Sequence, residues 1–515
     1  MDLPIKILTE FAISEQKKGN DSNFAKSLVY YIRNSKQIPN ADNILGLIGS
    51  IPTDEVAPQP ADIASDLRLK SLYVKGIRRF SDKGFFYRLD FTEESGSPVS
   101  CVYIGRNGVG KTSLYHGVEM TMLGNLESIS NITMNAEEKD SFLVNIFSDK
   151  PETGIAVVET FSTTAKHSQL KCKLTGSRPE SVLPPACFCS GRDIELLMRE
   201  GIPKEYVAKQ LRFDNLRLLI ERLQMAYNSF ENKQKELALL NEAAAQRAVA
   251  INMPIFGSDS QAVDENKIEL QKIQEDIQRL ISMFPALSKS NDEVATFVRC
   301  KDYMIDYYKN ILESLANDAS KILNYLVSEF ISDDIEQTAI TYSEPFSVAI
   351  KITPRDPSAP GSMPKRSVSP AFYLNNFRQK LFYVAFKAAL YLFARKKSGD
   401  NYPFVMDDIF DSSDFENRDK VKTFMKKLHS CDAAGDGSQN TILSEAPQVI
   451  LFTHDDIIAE EAYKGILKSG ASAKFSRIFE HTLLDSHDYK EYYRVLTLKD
   501  ENPEQYQTVK IEDEI

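Results

Sequence analysis

"GRNGVGKTS", residues 105–113, matches the pattern G-x-x-x-x-G-K-[ST], with Gly105, Gly110, Lys111 and Thr112 on its fixed positions. "SCVYIG" (100–105) before it is a short buried-strand pattern. "TSLYHGVEMTML" after it spaces its apolar residues for a helix. Strand, glycine loop and helix is the context this motif requires. The glycines let the backbone N–H groups from Gly105 through Arg106, Asn107 and Gly108 to Ser113 turn inward around phosphate oxygens. The helix N-terminus adds partial positive charge. Lys111 reads as the bridge to the β- and γ-phosphates, and Thr112 as a ligand of Mg²⁺.

The rest of the chain sets broad limits. Its 515 residues suggest two or three folding units. Hydrophobic residues make up 42% and charged residues 26%, the balance of an ordinary soluble protein. No apolar run is long enough for a membrane span, and the first twenty residues lack a secretory leader's pattern. The six cysteines fit neither a disulfide framework nor a zinc site, so the expected setting is the reducing cytoplasm. A net charge of −11 argues against a globally basic, nucleic-acid-binding surface.

A phosphate loop needs a second half that holds the metal and activates water. "NYPFVMDDIFDSSDFENR" (401–418) carries an apolar strand ending in Asp407-Asp408. Asp407 is the candidate metal ligand with Thr112. Asp408 is the candidate that orients or deprotonates the attacking water. "APQVILFTHDD" (446–456) is a further apolar strand delivering His454, which can hydrogen-bond a terminal phosphate and sense its loss. A surface histidine at a strand end is the plainer alternative.

Taken together, "LKSLYVKGIRRF…VYIGRNGVGKTSL", "PFVMDDIFDSSDFENR" and "QVILFTH" resemble the split ATPase head of the RecF/RecN/SMC branch of ABC ATPases. The resemblance implies an α/β P-loop NTPase head, ATP with Mg²⁺ as cofactors, and a head-to-head homodimer or a higher oligomer. It places Asp407, Asp408, Ile409, Phe410 and Asp414 on the Walker B and D-loop pattern, and His454 on the switch histidine. The signature turn is looser. In "YLNNFRQKLFYVAFKAALYLFARKK" (373–397), Asn375 stands where the family has serine, and Asn376 and Phe377 where it has glycines. Asn375 and Asn376 are candidates to face the partner's γ-phosphate. A core helix with an asparagine N-cap explains the same residues. Ser190 or Gly191 in "PPACFCSGRDIELL" occupies the Q-loop place.

The reading divides the chain into a helical N-terminal extension and Pro-rich linker (1–66), an N-lobe (67–215), a helical insert (216–319), a C-lobe (320–490) and an acidic tail (491–515). In the insert, Leu216, Ile220, Leu223, Tyr227 and Phe230 begin a heptad seam. "INMPIFGSDSQ" breaks it, and Ile273, Ile277, Leu280 and Phe284 form a second seam. These predict either a short antiparallel coiled-coil hairpin, its first arm about 40 Å long, or a helical lobe folded back.

Compact size, a short arm, the altered signature and the double aspartate resemble the ATPase subunits of bacterial anti-phage systems, Septu and retron-associated ones among them. That resemblance implies a nuclease or toxin effector as partner, with retron RNA or DNA as a nucleic acid that such a complex handles. The alternative is a RecF- or RecN-like repair ATPase that clamps DNA directly. A stand-alone metabolic kinase is disfavoured by the histidine and by the wide separation of the motifs.

Overall fold

The structure is a computed structural model. It describes residues 2–50, 66–78, 80, 86–129, 142–145, 154–174, 179–203, 205–252, 260–328, 335–343, 347–354, 367–410, 418–430, 446–478, 494–497 and 507–508. The described chain forms two compact units. One comprises Met1–Asp62 with Phe213–Leu312, and the other Ile63–Arg212 with Glu313–Ile515.

In chain order the elements are α1 (Asp2–Lys17), α2 (Asn23–Ser35), α3 (Ala41–Gly46), β1 (Leu69–Lys75), β2 (Tyr87–Asp90), β3 (Ser100–Ile104), α4 (Lys111–Leu123), β4 (Ile155–Thr160), β5 (Gln169–Lys173), β6 (Phe188–Ser190) and α5 (Gly191–Glu200). Then follow α6 (Asp214–Asn252), α7 (Ser260–Met283), α8 (Asn291–Ser314), α9 (Ser320–Val327), β7 (Ile335–Ser343), β8 (Ser347–Pro354) and α10 (Asn376–Ser398). The chain continues with β9 (Pro403–Asp407), α11 (Arg418–Ser430), β10 (Gln448–Thr453), α12 (Asp456–Lys468), β11 (Ala473–Ile478), β12 (Arg494–Thr497) and β13 (Gln507–Thr508). Short one-turn helices are left unlabelled.

The larger unit is an α/β domain. Its main sheet has seven strands in the order β13-β12-β11-β3-β10-β9-β6. The five strands from β11 to β6 run parallel. β3, β9 and β10 are buried along their whole length, which is why "SCVYI", "PFVMD" and "QVILFT" read as unbroken rather than alternating apolar runs. A second, antiparallel sheet has the order β2-β1-β4-β5, and β7-β8 is a separate hairpin. Gln448 ties the two larger sheets together. Its Oε1 accepts from the Leu69 N–H at 2.7 Å, and its Nε2 donates to the carbonyls of Leu69, Phe91 and Val99 at 2.8, 3.2 and 3.3 Å.

Two features depart from the sequence reading. The residues read as an acidic tail include β12 and β13, which add antiparallel strands to the edge of the main sheet. The N-terminal helices also share a unit with the insert. Phe24 meets Phe297 edge-on at 5.1 Å, Phe11 lies 5.0 Å from Tyr303, and Arg299 bonds the buried Glu15 at 3.0 Å. Leu216, Ile220, Leu223 and Phe230 of the first seam are buried in this unit. Farther out α6 pairs with α7 as an antiparallel hairpin through Arg247 and Glu269 at 2.9 Å. The break between these helices, residues 253–259, lies outside the described residues, as does Asp414.

Candidate functional site

Parallel strands that share a direction deliver their C-terminal ends to one edge, and open α/β sheets place ligands there. Here that edge gathers segments remote in sequence. β3 and β10 pair with Ile104 opposite Thr453, and the Gly105 N–H donates to the Thr453 carbonyl at 3.1 Å. β9 pairs on the other side of β10 with Asp407 opposite Phe452. β6 then pairs with β9, Ser190 opposite Asp407. The phosphate loop, both aspartates, His454 and Ser190 therefore meet at the ends of neighbouring strands.

The loop is built for close approach. Gly110 caps α4 at a φ of 104°, and a Cβ there would lie 2.9 Å from the Phe80 ring. Arg106, Asn107 and Gly108 are exposed, whereas Ser113 is buried. Lys111 is 4% exposed and folds back along the loop, donating to the carbonyls of Gly105 at 2.8 Å and Arg106 at 3.2 Å. Burial lowers the proton affinity of its amine, while Asp408 and Asp407 work in the opposite direction.

The two aspartates differ in environment. Asp407 is 5% exposed, and its Oδ1 is buried without a hydrogen-bond partner. Burial first, then the charge of Asp408, pushes its carboxyl up to about 7, against a hydrogen bond from Thr112 and the charge of Lys111. An orphaned acidic oxygen beside a threonine hydroxyl is a donor set suited to a hard divalent cation. Three or more such acidic, histidine or cysteine ligands do not cluster anywhere among the described residues. The site thus offers a partial set that phosphate oxygens and water would complete, as expected for Mg²⁺. Asp408 is half-exposed and holds a φ of 46°. Its N–H donates to the Phe452 carbonyl at 2.9 Å, and its Oδ1 lies 3.0 Å from His454 Nδ1. A non-glycine residue in the left-handed region costs about 1–3 kcal/mol and persists where its surroundings demand it.

The Q-loop place also adjoins this edge. Ser190 caps α5 by accepting from the Asp193 N–H at 3.2 Å. Gly191 approaches so closely that a Cβ would lie 2.6 Å from the Asp408 carbonyl oxygen. Asn375 is exposed and caps α10, its Oδ1 accepting from the Arg378 N–H at 2.9 Å. Asn376 beside it is exposed as the first residue of that helix. Neither asparagine bonds to the residues gathered around Lys111. Phe372, just before this turn, is 90% exposed. Sequence reasoning missed Gln448, because a glutamine opening an apolar strand carries no motif. Its one signal is a polar residue at the start of an otherwise wholly apolar run.

Comparison with protein-family models gives no match, and none of the curated proteins matches. Comparison with solved structures matches the SMC head domain from Thermotoga maritima, at 11% identity and a TM-score of 0.32, covering 84% of this chain and 100% of that one. The recombination mediator protein RecF of the RecFOR pathway, in its ATPrS form, has 14% identity and a TM-score of 0.37, covering 81% of this chain and 97% of RecF. RecF in its ATP form has 14% identity, a TM-score of 0.35 and coverage of 81% and 98%. No helix among the described residues is long and apolar enough to cross a membrane.

Proposed function

We propose that the chain is a Mg²⁺-dependent ABC-type ATPase of the SMC/RecF-like kind, acting as the ATPase subunit of a bacterial anti-phage complex in which ATP state controls a nuclease or toxin effector. The observation carrying the ATPase reading is the meeting of Lys111, Thr112, Asp407, Asp408 and His454 at the ends of three neighbouring parallel strands. Lys111 gives up two backbone carbonyls to reach phosphate oxygens. Thr112 and Asp407 are the residues that would hold Mg²⁺, which when bound neutralises charge on the phosphoryl oxygens. Asp408, fixed by its backbone and by His454, orients the attacking water. His454 couples that carboxylate to the terminal phosphate.

The defence reading is supported by the acidic balance of −11, by the short α6–α7 hairpin and by the altered signature turn. The alternative, a repair ATPase clamping DNA directly, gains support from the resemblance to RecF noted in the sequence motifs. Catalysis is expected in a head-to-head homodimer, with Asn375 and Asn376 of one protomer facing the nucleotide of the other. A mixing experiment tests this. Lys111→Ala chains and Asn375→Asp/Asn376→Asp chains are each expected to be inactive. Mixed, they form one intact composite site, and part of the ATPase activity returns. No recovery despite demonstrated subunit exchange defeats the sandwich. Purification from the native host separates the roles: a co-purifying nuclease supports defence, and tight DNA binding without a partner supports repair.

A further inference from the structure

The helices α6 to α8 leave the larger unit after Arg212 and rejoin it at Glu313. Both junctions have irregular backbone. Arg212, the last residue before the exit, holds a φ of 60°, in the left-handed region that a side chain disfavours. Its guanidinium donates to the Ser181 hydroxyl. On the return, the chain widens into a π-helical turn, Leu315–Ala319, between α8 and α9. Such turns gather at functional positions, and a few residues of irregular backbone are enough to make a hinge.

One helix holds a side chain against each junction. α10 carries neither glycine nor proline and is buried without a break from Gln379 to Phe393, so it moves as a rod. Lys387, 1% exposed, donates from Nζ to the Gln210 Oε1 and, at 3.3 Å, to the Tyr206 hydroxyl. Tyr206–Gln210 is a one-turn helix that ends directly before Leu211 and Arg212. Farther along α10, Lys396 pairs with Asp318 at 3.3 Å, and the Ser314 hydroxyl donates to the same carboxylate oxygen at 3.4 Å. Asp318 lies inside the π turn. For packing alone, an apolar side chain would serve better at 387 than an ammonium. What lysine adds there is a directional tether. At about 1.5 Å per residue, Lys387 stands about 18 Å and Lys396 about 32 Å along the helix from the exposed cap Asn375.

We propose that α10 is a lever that couples the nucleotide site to the helices α6 to α8. Lys387 and Lys396 carry its displacement to hinges at Arg212 and at Leu315–Ala319, and α6 to α8 swing on both. Two tethers on separate segments transmit a tilt as well as a shift, which one could not. The displacement arises when the Asn375 turn engages the nucleotide of a second copy, so the inference rests on the composite site proposed above. The two lysines are positioning residues and touch no nucleotide.

The test is hydrogen–deuterium exchange of the full chain, with and without Mg²⁺ and a non-hydrolysable ATP analogue, with sedimentation of the same samples to read dimer formation. In wild type the analogue is expected to change exchange by about threefold or more in residues 206–216 and 312–320. Lys387→Met fills similar space without a charge. It is expected to melt close to wild type, to keep analogue binding and dimer formation, and to lose the response at 206–216 while keeping it at 312–320. Lys396→Gln alters a partly exposed residue and guards against misfolding of the buried variant. It is expected to lose the response at 312–320 alone. A lysine that only held its segment in place would shift exchange there equally with and without the analogue. The proposal is overturned if wild type dimerises on the analogue while both segments stay silent, or if the folded variants keep both responses. If wild type binds the analogue and stays monomeric, the composite site fails and the lever falls with it. A dimer with silent hinges defeats the lever alone.

Discussion

Replacing Asp407 with asparagine is expected to stabilise the nucleotide-free protein while removing a ligand of the proposed Mg²⁺ site. The carboxyl is 5% exposed and is raised from 3.8 to about 7 by burial and by Asp408. The folded chain therefore holds this proton more tightly than the unfolded chain does. Stability falls as pH rises from the unfolded value toward the folded one, and above pH 7 the full cost of the charged form, about 4 kcal/mol, is in place. Asparagine keeps the shape without the charge. Asp407→Asn should thus melt above wild type at pH 8, with a gap that narrows by more than half by pH 5. Differential scanning calorimetry across that range, without nucleotide, reads the gap directly. Adding ATP and Mg²⁺ reverses the ranking, because ligand binding stabilises only a chain that can hold the complex. Titration of Mg²⁺ in the presence of ATP at pH 7 should release about half a proton from wild type, in proportion to the fraction of Asp407 still protonated, and none from Asp407→Asn. A melting gap that stays constant from pH 5 to pH 8 refutes the argument, because it removes the buried ionisation from which the magnitude was worked.

Lys111→Ala should weaken ATP binding by about 100-fold or more, as expected when charge-assisted contacts worth about 1.5–3 kcal/mol each are lost; equilibrium dialysis with labelled ATP checks it. Asp408→Asn should retain ATP affinity within about threefold yet lower turnover by about 10²–10⁴, the usual range for a lost general base, as read in a phosphate-release assay. Gln448→Leu leaves the buried Leu69 N–H without its acceptor and should cost about 1–3 kcal/mol, seen as a lower Tm with unchanged ATP affinity per folded chain. Asn375→Ala should cost about 1 kcal/mol through loss of the cap, whereas Asn375→Ser restores the cap. ATPase activity that follows the cap alone would show that Asn375 does no more than hold the helix.

How much of this was legible in the sequence depends on whether a residue acts through its neighbours in the chain or through remote ones. The phosphate loop is local. Gly110, Lys111 and Thr112 declare their conformation and chemistry within nine letters, and Gly110 does adopt the φ of 104° that such a turn requires. The apolar strands before Asp407-Asp408 and His454 are local as well, and unbroken hydrophobicity marks burial on both faces. Gln448 acts through segments far away in sequence. Arg78 is similar, since "GIRRF" does not reveal that Phe142 will lie beneath its guanidinium. In the sequence the N-terminal helices look like an appendage, because their partners, Phe297, Arg299 and Tyr303, lie far along the chain.

The same distinction explains why the two adjacent aspartates, identical in type, take different parts. Asp407 ends a strand flanked on both sides by parallel neighbours, so its carboxyl is enclosed and holds its proton to about 7. Asp408 is the first residue beyond that support. The chain must turn there against the close-packed backbone of Gly191, and it does so by taking a φ of 46°, which swings the side chain out toward His454 at 3.0 Å. Enclosure suits one carboxyl to a cation that arrives with its own charge, and exposure suits the other to water. A glycine at 408 would relieve the backbone strain but would bring no carboxylate to His454. A larger residue at 191 would push the turn apart. The division of labour follows from where the sheet ends.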